Sequence, residues 1–250
     1  MQLKYLQLNV WLGGKLWDTM VDFLKREDAD IVALQEVYDG HDTTLEKRFR
    51  TLDILKQELG YPYHAFAPAI IDTRDNLNLP WGNAILSKFP ITKHEAIFFD
   101  VPFGERKTGM ETAEYAPRNM VRATIDAPDT LLNVYSIHGI WGHDGNDNSR
   151  RLAMSGTIIK RIKGIPHAII SGDFNVQEKT ETIGNLEKHL RNVFKGERAT
   201  SFNMRIKTDQ KFANAVVDHL FVSSDLTVID HYQPDVDASD HLPMVCTLKL

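Results

Sequence analysis

The sequence has a single cysteine, Cys246, and this scarcity excludes two ways of holding a protein together. One thiol cannot build an intrachain disulfide framework or a zinc site made of several cysteines. Cys246 alternates with polar neighbours in a short apolar stretch, so we expect it to be a buried strand residue. With 250 residues, the chain is long enough to bury a full hydrophobic core instead.

Long apolar runs are absent too. No stretch approaches the ~20 apolar residues that a helix needs to cross a bilayer. The N-terminus begins directly on a strand pattern, without the apolar centre of a signal peptide. These absences predict a cytoplasmic protein without a membrane span.

Basic residues are not in excess, because 29 Lys and Arg side chains stand against 34 Asp and Glu side chains, a formal net charge of −5. A sequence-independent grip on long nucleic acid usually comes with a basic surface. The balance therefore disfavours a DNA scaffold protein. It leaves room for an enzyme that holds phosphate through a metal ion.

The pattern along the chain predicts an α/β fold in one domain, residues 1–250, since no linker, low-complexity tract or shift in composition interrupts it. Strands are predicted over residues 3–10, 31–34, 63–71, 83–87, 91–99, 120–125, 131–137, 168–170, 216–222, 227–232 and 244–250. Helices are predicted over residues 15–27, 44–59 and 150–163, and loops over residues 72–81 and 100–117. Strands backed by helices in both halves predict two packed sheets with helices outside.

Polar side chains follow several of the apolar runs. Asn9 ends the first predicted strand, and Glu36 follows the second. A lone Glu36 would more often be a solvated acid at the start of a loop. Strands joined by one helix often lie side by side, however, so both side chains could reach one cation.

Asp173 and Asn175 follow the buried run at residues 168–170, after Gly172, which lets the backbone turn at little steric cost. Side chains two apart on an extended segment point the same way, so the pair could serve one site. An Asx-type turn after the strand is the alternative. The sequence leaves the two interpretations open.

His241 follows Asp240 near the C-terminus and could act as a base if a carboxylate fixed its tautomer. Asp218 is the candidate partner, because an acid inside an apolar strand is costly unless it is paired. His138 ends another predicted strand. Carboxylates, amides and imidazoles that converge in this way favour a site for a hard cation and for proton transfer.

Four further side chains have two interpretations each. Arg118 could pair with an anionic substrate or with a surface acid, and Asn83 could donate to a phosphate oxygen or cap a turn. Trp81 and Trp141, both in predicted loops, could stack on a base or only pack.

Seven segments, in this order, resemble the endonuclease/exonuclease/phosphatase superfamily, which has the deoxyribonuclease-I-like fold. They are Leu8-Asn9, Leu34-Gln35-Glu36-Val37, Gly82-Asn83-Ala84-Ile85-Leu86-Ser87, Ile137-His138, Gly172-Asp173-Phe174-Asn175, Val217-Asp218-His219-Leu220 and Ser239-Asp240-His241. Each motif is weak alone, but seven in family order make a specific signal. The resemblance implies a four-layer α/β sandwich of two mixed β-sheets flanked by helices.

The resemblance also implies a magnesium-dependent hydrolase of phosphate esters, with Mn²⁺ as a substitute ion. Glu36 resembles the main metal-binding glutamate, and Asn9 and Asp240 resemble its companions around the metal. Asn83 and Arg118 resemble supporting residues on the substrate side.

The residues for the chemistry follow from the same resemblance. His241 resembles the catalytic histidine and Asp218 the acid that orients it. Asp173 and Asn175 resemble the pair that positions water and phosphate, and His138 resembles the second histidine, near the leaving group. The general base is either Asp173 or the Asp218–His241 pair.

The expected function is hydrolysis of phosphodiester bonds by a monomeric nuclease or DNA-end-processing phosphodiesterase, with nucleic acid as a possible partner. One alternative is a sphingomyelinase-like or inositol-phosphatase-like enzyme that acts on small or lipid phosphates. Another is a binding module that has lost its chemistry. The presence of Glu36, Asp173 and His241 speaks against that last alternative.

Overall fold

A computed structural model describes residues 1–105 and 114–250. Its strands are β1 (Gln2–Asn9), β2 (Ile31–Tyr38), β3 (Tyr63–Asp72), β4 (Leu79–Ser87), β5 (Ile91–Phe98), β6 (Gly104–Glu105), β7 (Asn119–Ala127), β8 (Thr130–His138), β9 (Ala168–Asp173), β10 (Arg191–Asn192), β11 (Asp218–Val222), β12 (Thr227–Tyr232) and β13 (Met244–Lys249). Its α-helices are α1 (Trp17–Glu27), α2 (Thr51–Leu59), α3 (Ser149–Ile162) and α4 (Glu181–Glu187). Short 3₁₀ turns cover Lys47–Arg50, Arg74–Asn76 and Gln210–Phe212.

The order of strands and helices confirms the predicted α/β pattern, but some predicted bounds are wrong. The helix expected over residues 44–59 is α2 alone, preceded by a 3₁₀ turn. Asp42 accepts hydrogen bonds from the Thr44 N–H and hydroxyl, at 2.9 and 2.7 Å, and this Asx turn replaces the first helical turn. The predicted loop 72–81 contains a 3₁₀ turn and the start of β4, and residues 106–113 of the loop 100–117 lie outside the described residues.

Helix α4 was not predicted, because seven residues are too few for a clear apolar period. Its N-terminus is capped twice. The Thr180 hydroxyl accepts from the Ile183 N–H, and the Asp147 carboxylate accepts from the N–H groups of Glu181 and Thr182 at 2.7 and 3.0 Å. These caps supply partners for N–H groups that the helix itself cannot satisfy.

Two mixed sheets form the centre of the molecule. The first has the order β12-β13-β1-β2-β4-β3-β6, and the second has the order β10-β11-β9-β8-β7-β5. The C-terminal hairpin β12–β13 joins the first sheet, where β13 pairs antiparallel with β1 and Gln7 lies opposite Met244. The two predicted sheets are therefore present, but they do not correspond to the two halves of the chain.

Three apolar clusters hold four layers together. The cluster between the sheets includes Tyr5, Ile85, Val134 and Ile169, and it also buries Cys246. Helices α1 and α2 cover the outer face of the first sheet, and α3 and α4 cover that of the second. This is the four-layer sandwich that the resemblance implied. Within the described part of the chain, no helix is long and apolar enough to cross a membrane.

Candidate active site

The ends of several strands meet at one edge of the sandwich. Parallel pairing puts Asn9 of β1 opposite Gln35 of β2, and it puts His138 of β8 opposite Asp173 of β9. Strand β11 runs antiparallel to β9 and places Asp218 opposite Asp173. The pairing therefore brings residues from distant parts of the chain to one place.

A cleft of about 590 Å³ opens at this edge. The predicted site residues on its wall are Glu36, Arg118, His138, Asp173, Asn175, Asp240 and His241. Asn9 and Asp218 lie behind the wall and contact wall residues. Asn83 is fully buried, and its amide N–H groups donate to the backbone and side-chain oxygens of Asn119, both at 2.8 Å.

Glu36 reaches the cleft because the register between β2 and β4 shifts between Leu34 and Val37. Its φ is +65°, a left-handed conformation that is uncommon for a residue other than glycine. The Leu12 N–H donates to Glu36 Oε2 at 2.7 Å, and the Asn9 amide donates to Oε1 at 3.3 Å. The bulge thus fixes a half-buried carboxylate with both oxygens held by neutral donors.

The Asn9 side chain lies between two carboxylates. Its Nδ2 donates to Glu36 and also to Asp173 Oδ2, at 3.2 Å, while its Oδ1 accepts from the Trp11 N–H at 3.0 Å. In this arrangement Asn9 orients the two acids and does not offer an oxygen to a cation. Its assignment as a metal ligand stays a prediction of the resemblance.

Asn175 reaches the cleft because the backbone turns after β9. Of the two interpretations of Asp173 and Asn175, the Asx-type turn is therefore the correct one. Its φ is +56°, and its N–H donates to Asp173 Oδ1 at 2.8 Å, which is the Asx-type geometry. Gly172 has φ +146°, and a Cβ at this position would lie 2.0 Å from the Ile137 carbonyl oxygen. Glycine is therefore required for β9 to bring Asp173 to the cleft.

Asp218 and His241 form a buried pair in which His241 Nδ1 lies 2.8 Å from Asp218 Oδ2. Burial alone would lower the pKa of His241, but the charge of Asp218, with those of Asp240 and Asp173, raises it to about 10. Burial would likewise raise the pKa of Asp218, but His241 holds it below its usual range. The neighbouring carboxylates therefore favour the protonated form of the imidazole.

We expect Asp218→Asn to lower the pKa of His241 from about 10 toward or below its ordinary value of about 6.5, because burial remains while the main partner charge is lost. NMR titration of the imidazole nitrogens in the metal-free protein measures this change, and the exposed Asp209→Asn is the matched control. An unchanged titration of His241 in Asp218→Asn would contradict the pairing.

Asp173 lies between the two histidines of the site. Its Oδ2 is 3.7 Å from His138 Nε2 and 3.9 Å from His241 Nε2. Burial, and then the negative charge of Asp218, raise the pKa of Asp173 to about 6, and the charge of Glu36 contributes in the same direction. Asp173 is thus a carboxylate that takes up a proton more readily than an exposed acid.

A cationic and aromatic group lies beside Asp173, next to His138. Arg118 Nη1 lies 2.8 Å from His138 Nε2, and the Arg118 guanidinium sits 5.5 Å from the Trp81 ring centre. Trp81 is buried within β4 and not in a loop as expected, whereas Trp141 is half-buried on the cleft wall. Arg118 and His138 can therefore bind an anionic group, and the Trp141 ring can stack on a planar one.

The structure shows two contacts that the sequence did not predict, one behind the site and one beside it. His219 is fully buried, its Nε2 is 2.9 Å from the Val176 carbonyl oxygen, and burial lowers its pKa to about 3. It is a neutral packing residue. Lys207 binds Asp240, with Nζ 2.9 Å from Oδ2. No sequence pattern marked this lysine, because it lies in an irregular segment.

The donors on the cleft fit a hard divalent cation. Carboxylate oxygens are the ligands that Mg²⁺ prefers, and the acids Glu36, Asp173 and Asp218 concentrate negative charge that a cation would offset. A separate group on the surface, Asp39, His41 and Asp53, has ligand atoms within 4.8 Å of one another. His41 Nδ1 already contacts Asp53 at 2.7 Å, and none of these three residues is among the described residues that line the cleft.

Residues 6–241 match the family model described as Endonuclease/Exonuclease/phosphatase family. No curated protein matches the sequence. Among solved structures, an endonuclease/exonuclease/phosphatase from Beutenbergia cavernae is similar, with TM-score 0.76 and 16% identity over 100% of this chain and 72% of that one.

Two further structures are similar over almost the full length of both chains. A mannosyl-6-phosphatase from Bacteroides thetaiotaomicron has TM-score 0.69 and 17% identity over 99% of this chain and 100% of that one. Humanized TDP2 of D. rerio has TM-score 0.69 and 16% identity over 100% and 99%. At such identities the structures share the fold.

Proposed function

Because the chain belongs to the endonuclease/exonuclease/phosphatase family, whose members hydrolyse phosphate esters, we propose that it is a magnesium-dependent phosphoesterase that cleaves phosphodiester bonds. The observation that carries this proposal is the convergence of Glu36, Asp173 and the Asp218–His241 pair on one cleft. A binding module would have no need for a buried carboxylate–imidazole pair next to a second acid.

Glu36 would hold the divalent cation. Mg²⁺ keeps most of its waters and takes one or two carboxylates from a protein, which suits a single half-buried glutamate. When bound, the ion would stabilise the negative charge that develops on the phosphoryl group. Mn²⁺, which accepts the same oxygen ligands, is the expected substitute.

Asp173 is the better candidate for the general base. A protonated His241 has no lone pair to accept a proton, because Nδ1 faces Asp218 and its pKa is raised to about 10. Asp173 is a carboxylate whose pKa of about 6 gives it more affinity for a proton than an ordinary acid. A water beside Asp173 would lose its proton to Oδ2 as its oxygen bonds to phosphorus, while the bond from phosphorus to the leaving-group oxygen breaks on the opposite side. The leaving oxygen would take a proton from solvent, and Asp173 would later return its own proton to solvent.

His241 then serves as a fixed positive charge. Its Nε2–H points toward Asp173 and the cleft, where it would donate to a phosphoryl oxygen as negative charge grows there. Asp218 keeps the ring charged and oriented. Arg118 and His138, which lie beside each other in the cleft, would bind the remaining phosphoryl oxygens near the leaving group.

The wild-type protein should release nitrophenol from bis-p-nitrophenyl phosphate with Mg²⁺ or Mn²⁺. EDTA should reduce the rate to that of buffer, because the ion is needed to stabilise the charge on phosphorus, and excess Mg²⁺ should restore it. Turnover is followed by the absorbance of nitrophenolate, with Ca²⁺ as a control for nonspecific effects of a divalent ion. Full activity in EDTA would contradict metal dependence.

Hydrolysis of a small phosphate ester is a second candidate. The cleft of about 590 Å³ has the size of a small-molecule site, and the net charge of −5 gives no general attraction for long nucleic acid. The similar fold of a mannosyl-6-phosphatase fits this option. The panel that separates the two candidates contains single-stranded DNA, 5′-blocked DNA, abasic duplex, sphingomyelin, inositol phosphates and mannose 6-phosphate.

A further inference from the structure

Asp240 already has an internal cation. The Lys207 ammonium lies 2.9 Å from Asp240 Oδ2. The Ser239 hydroxyl lies 3.4 Å from Asp240 Oδ1 but donates its one proton to the Asn9 carbonyl oxygen, at 2.6 Å. Asp240 is buried, and Lys207 is the cation beside it. The acid that resembles a metal companion is therefore neutralised by a lysine.

Lys207 is held in this position from several sides. Its Nζ lies 4.7 Å from the Phe202 ring centre and 4.9 Å from that of Phe212, so the ammonium faces two aromatic rings. The backbone is fixed as well. The Lys207 N–H donates to the Asn203 carbonyl at 2.8 Å, and the Asn203 N–H donates to the Asp240 carbonyl at 2.9 Å. The ion pair is built into the fold and is not a chance surface contact.

Glu36 shows the opposite arrangement. Its carboxylate accepts only from the neutral Leu12 N–H and Asn9 amide. No lysine, arginine or histidine forms an ion pair with it among residues 1–105 and 114–250. The two acids thus differ. The Glu36 carboxylate faces the cleft with only neutral donors beside it among the described residues, whereas the Asp240 carboxylate is paired with the Lys207 ammonium.

We propose that the Lys207 ammonium takes the place of a second metal ion at Asp240, so that the cleft binds one divalent cation, at Glu36. The inference rests on the metal-dependent function proposed above. In two-metal sites the ions lie about 3.5–4 Å apart and share carboxylate ligands. A second divalent ion at Asp240 would have to displace an ammonium that the two rings and the carboxylate hold, or bind beside it against like-charge repulsion.

The test is the number of Mn²⁺ ions bound per chain, measured by isothermal titration and by the EPR signal of free Mn²⁺. The wild type should bind one ion. Lys207→Met keeps the length of the side chain and its packing on the rings but removes the charge, and it should bind a second, weaker ion at Asp240. The matched control Lys211→Met removes a charge from the same segment, outside the Asp240 pair, and should bind one ion.

Two further variants keep the experiment decisive if Lys207→Met does not fold. Lys207→Arg keeps the positive charge and should bind one ion. Asp240→Asn removes the second carboxylate but leaves Glu36, and it should still bind one ion. Thermal unfolding by circular dichroism shows which variants are folded, and Lys207→Gln replaces Lys207→Met if the latter is not.

The outcomes separate this inference from the proposed function. Two ions on the wild type, one ion on a folded Lys207→Met or Lys207→Gln, or no ion on a folded Asp240→Asn would each overturn the inference while leaving metal dependence intact. No ion on the wild type would overturn the proposed metal dependence and the inference with it.

Discussion

Replacing Asp173 with asparagine is expected to lower kcat for a phosphodiester by about 10²–10⁴-fold, the usual contribution of a positioned general base. Asparagine keeps the shape of the side chain and its place between His138 and His241, but it cannot take up the proton of the attacking water. KM should change little, because the residues that bind the phosphoryl oxygens remain. Steady-state kinetics on bis-p-nitrophenyl phosphate with saturating Mg²⁺ measure the effect.

The control for this variant is Asp144→Asn, the same chemical change at an exposed position on the cleft. Its kcat should stay within about threefold of wild type, which is the scatter expected for a surface change. An Asp173→Asn enzyme with wild-type kcat would show that Asp173 is not the base.

The pH profile gives a second measure of the same role. Asp173 acts only when it is deprotonated, so kcat/KM should fall below its pKa. That pKa is about 6 without metal, and a bound cation can only lower it, so the acid limb should lie at or below pH 6. Activity should stay level above that point and fall again where His241 loses its proton, at or below pH 10, because a bound cation lowers the pKa of this imidazole as well.

Replacing His241 with alanine should lower kcat by at least about 10²-fold, because the charge that faces the phosphoryl oxygens is lost. This change should also destabilise the fold by about 3–5 kcal/mol, since Asp218 is left buried with its charge unpaired. Binding of Mn²⁺ at Glu36 should persist. Kinetics, urea unfolding and Mn²⁺ titration measure the three effects.

A double variant separates catalysis from stability. His241→Ala combined with Asp218→Asn removes the unpaired charge, so it should regain most of the lost stability while its kcat stays low. A folded double variant with near-wild-type kcat would show that His241 serves the fold and not the reaction.

Much of the site follows from two local rules that the sequence displays directly. Strands joined by one helix tend to be neighbours, and Asn9 and Glu36 are in fact hydrogen-bonded across the parallel pair β1–β2. An acid in an apolar strand needs a partner, and Asp218 has His241. The family resemblance is confirmed by the family model, and the four-layer sandwich is confirmed by the packing of the layers. Both could be predicted because each short motif lies at the end of a strand, where the sheet fixes its position.

The parts that could not be predicted depend on irregular backbone. Glu36 faces the cleft through a bulge, which has no periodic signal. For Asn175 the sequence offered an extended segment or an Asx-type turn and could not choose between them, and the left-handed turn is the one present. The Lys207–Asp240 pair joins residues 33 apart through a segment with little regular structure. That β12–β13 joins the first sheet depends on long-range pairing that apolar runs alone do not specify.

The location of the metal tests the account most directly. Crystals grown with Mn²⁺ and inorganic phosphate give an anomalous signal that places each ion without reference to activity. We expect one Mn²⁺ peak in the cleft, bound to the Glu36 carboxylate, with phosphate between Asp173, His138 and His241. A cleft without Mn²⁺, with the ion at Asp39, His41 and Asp53 instead, would contradict it.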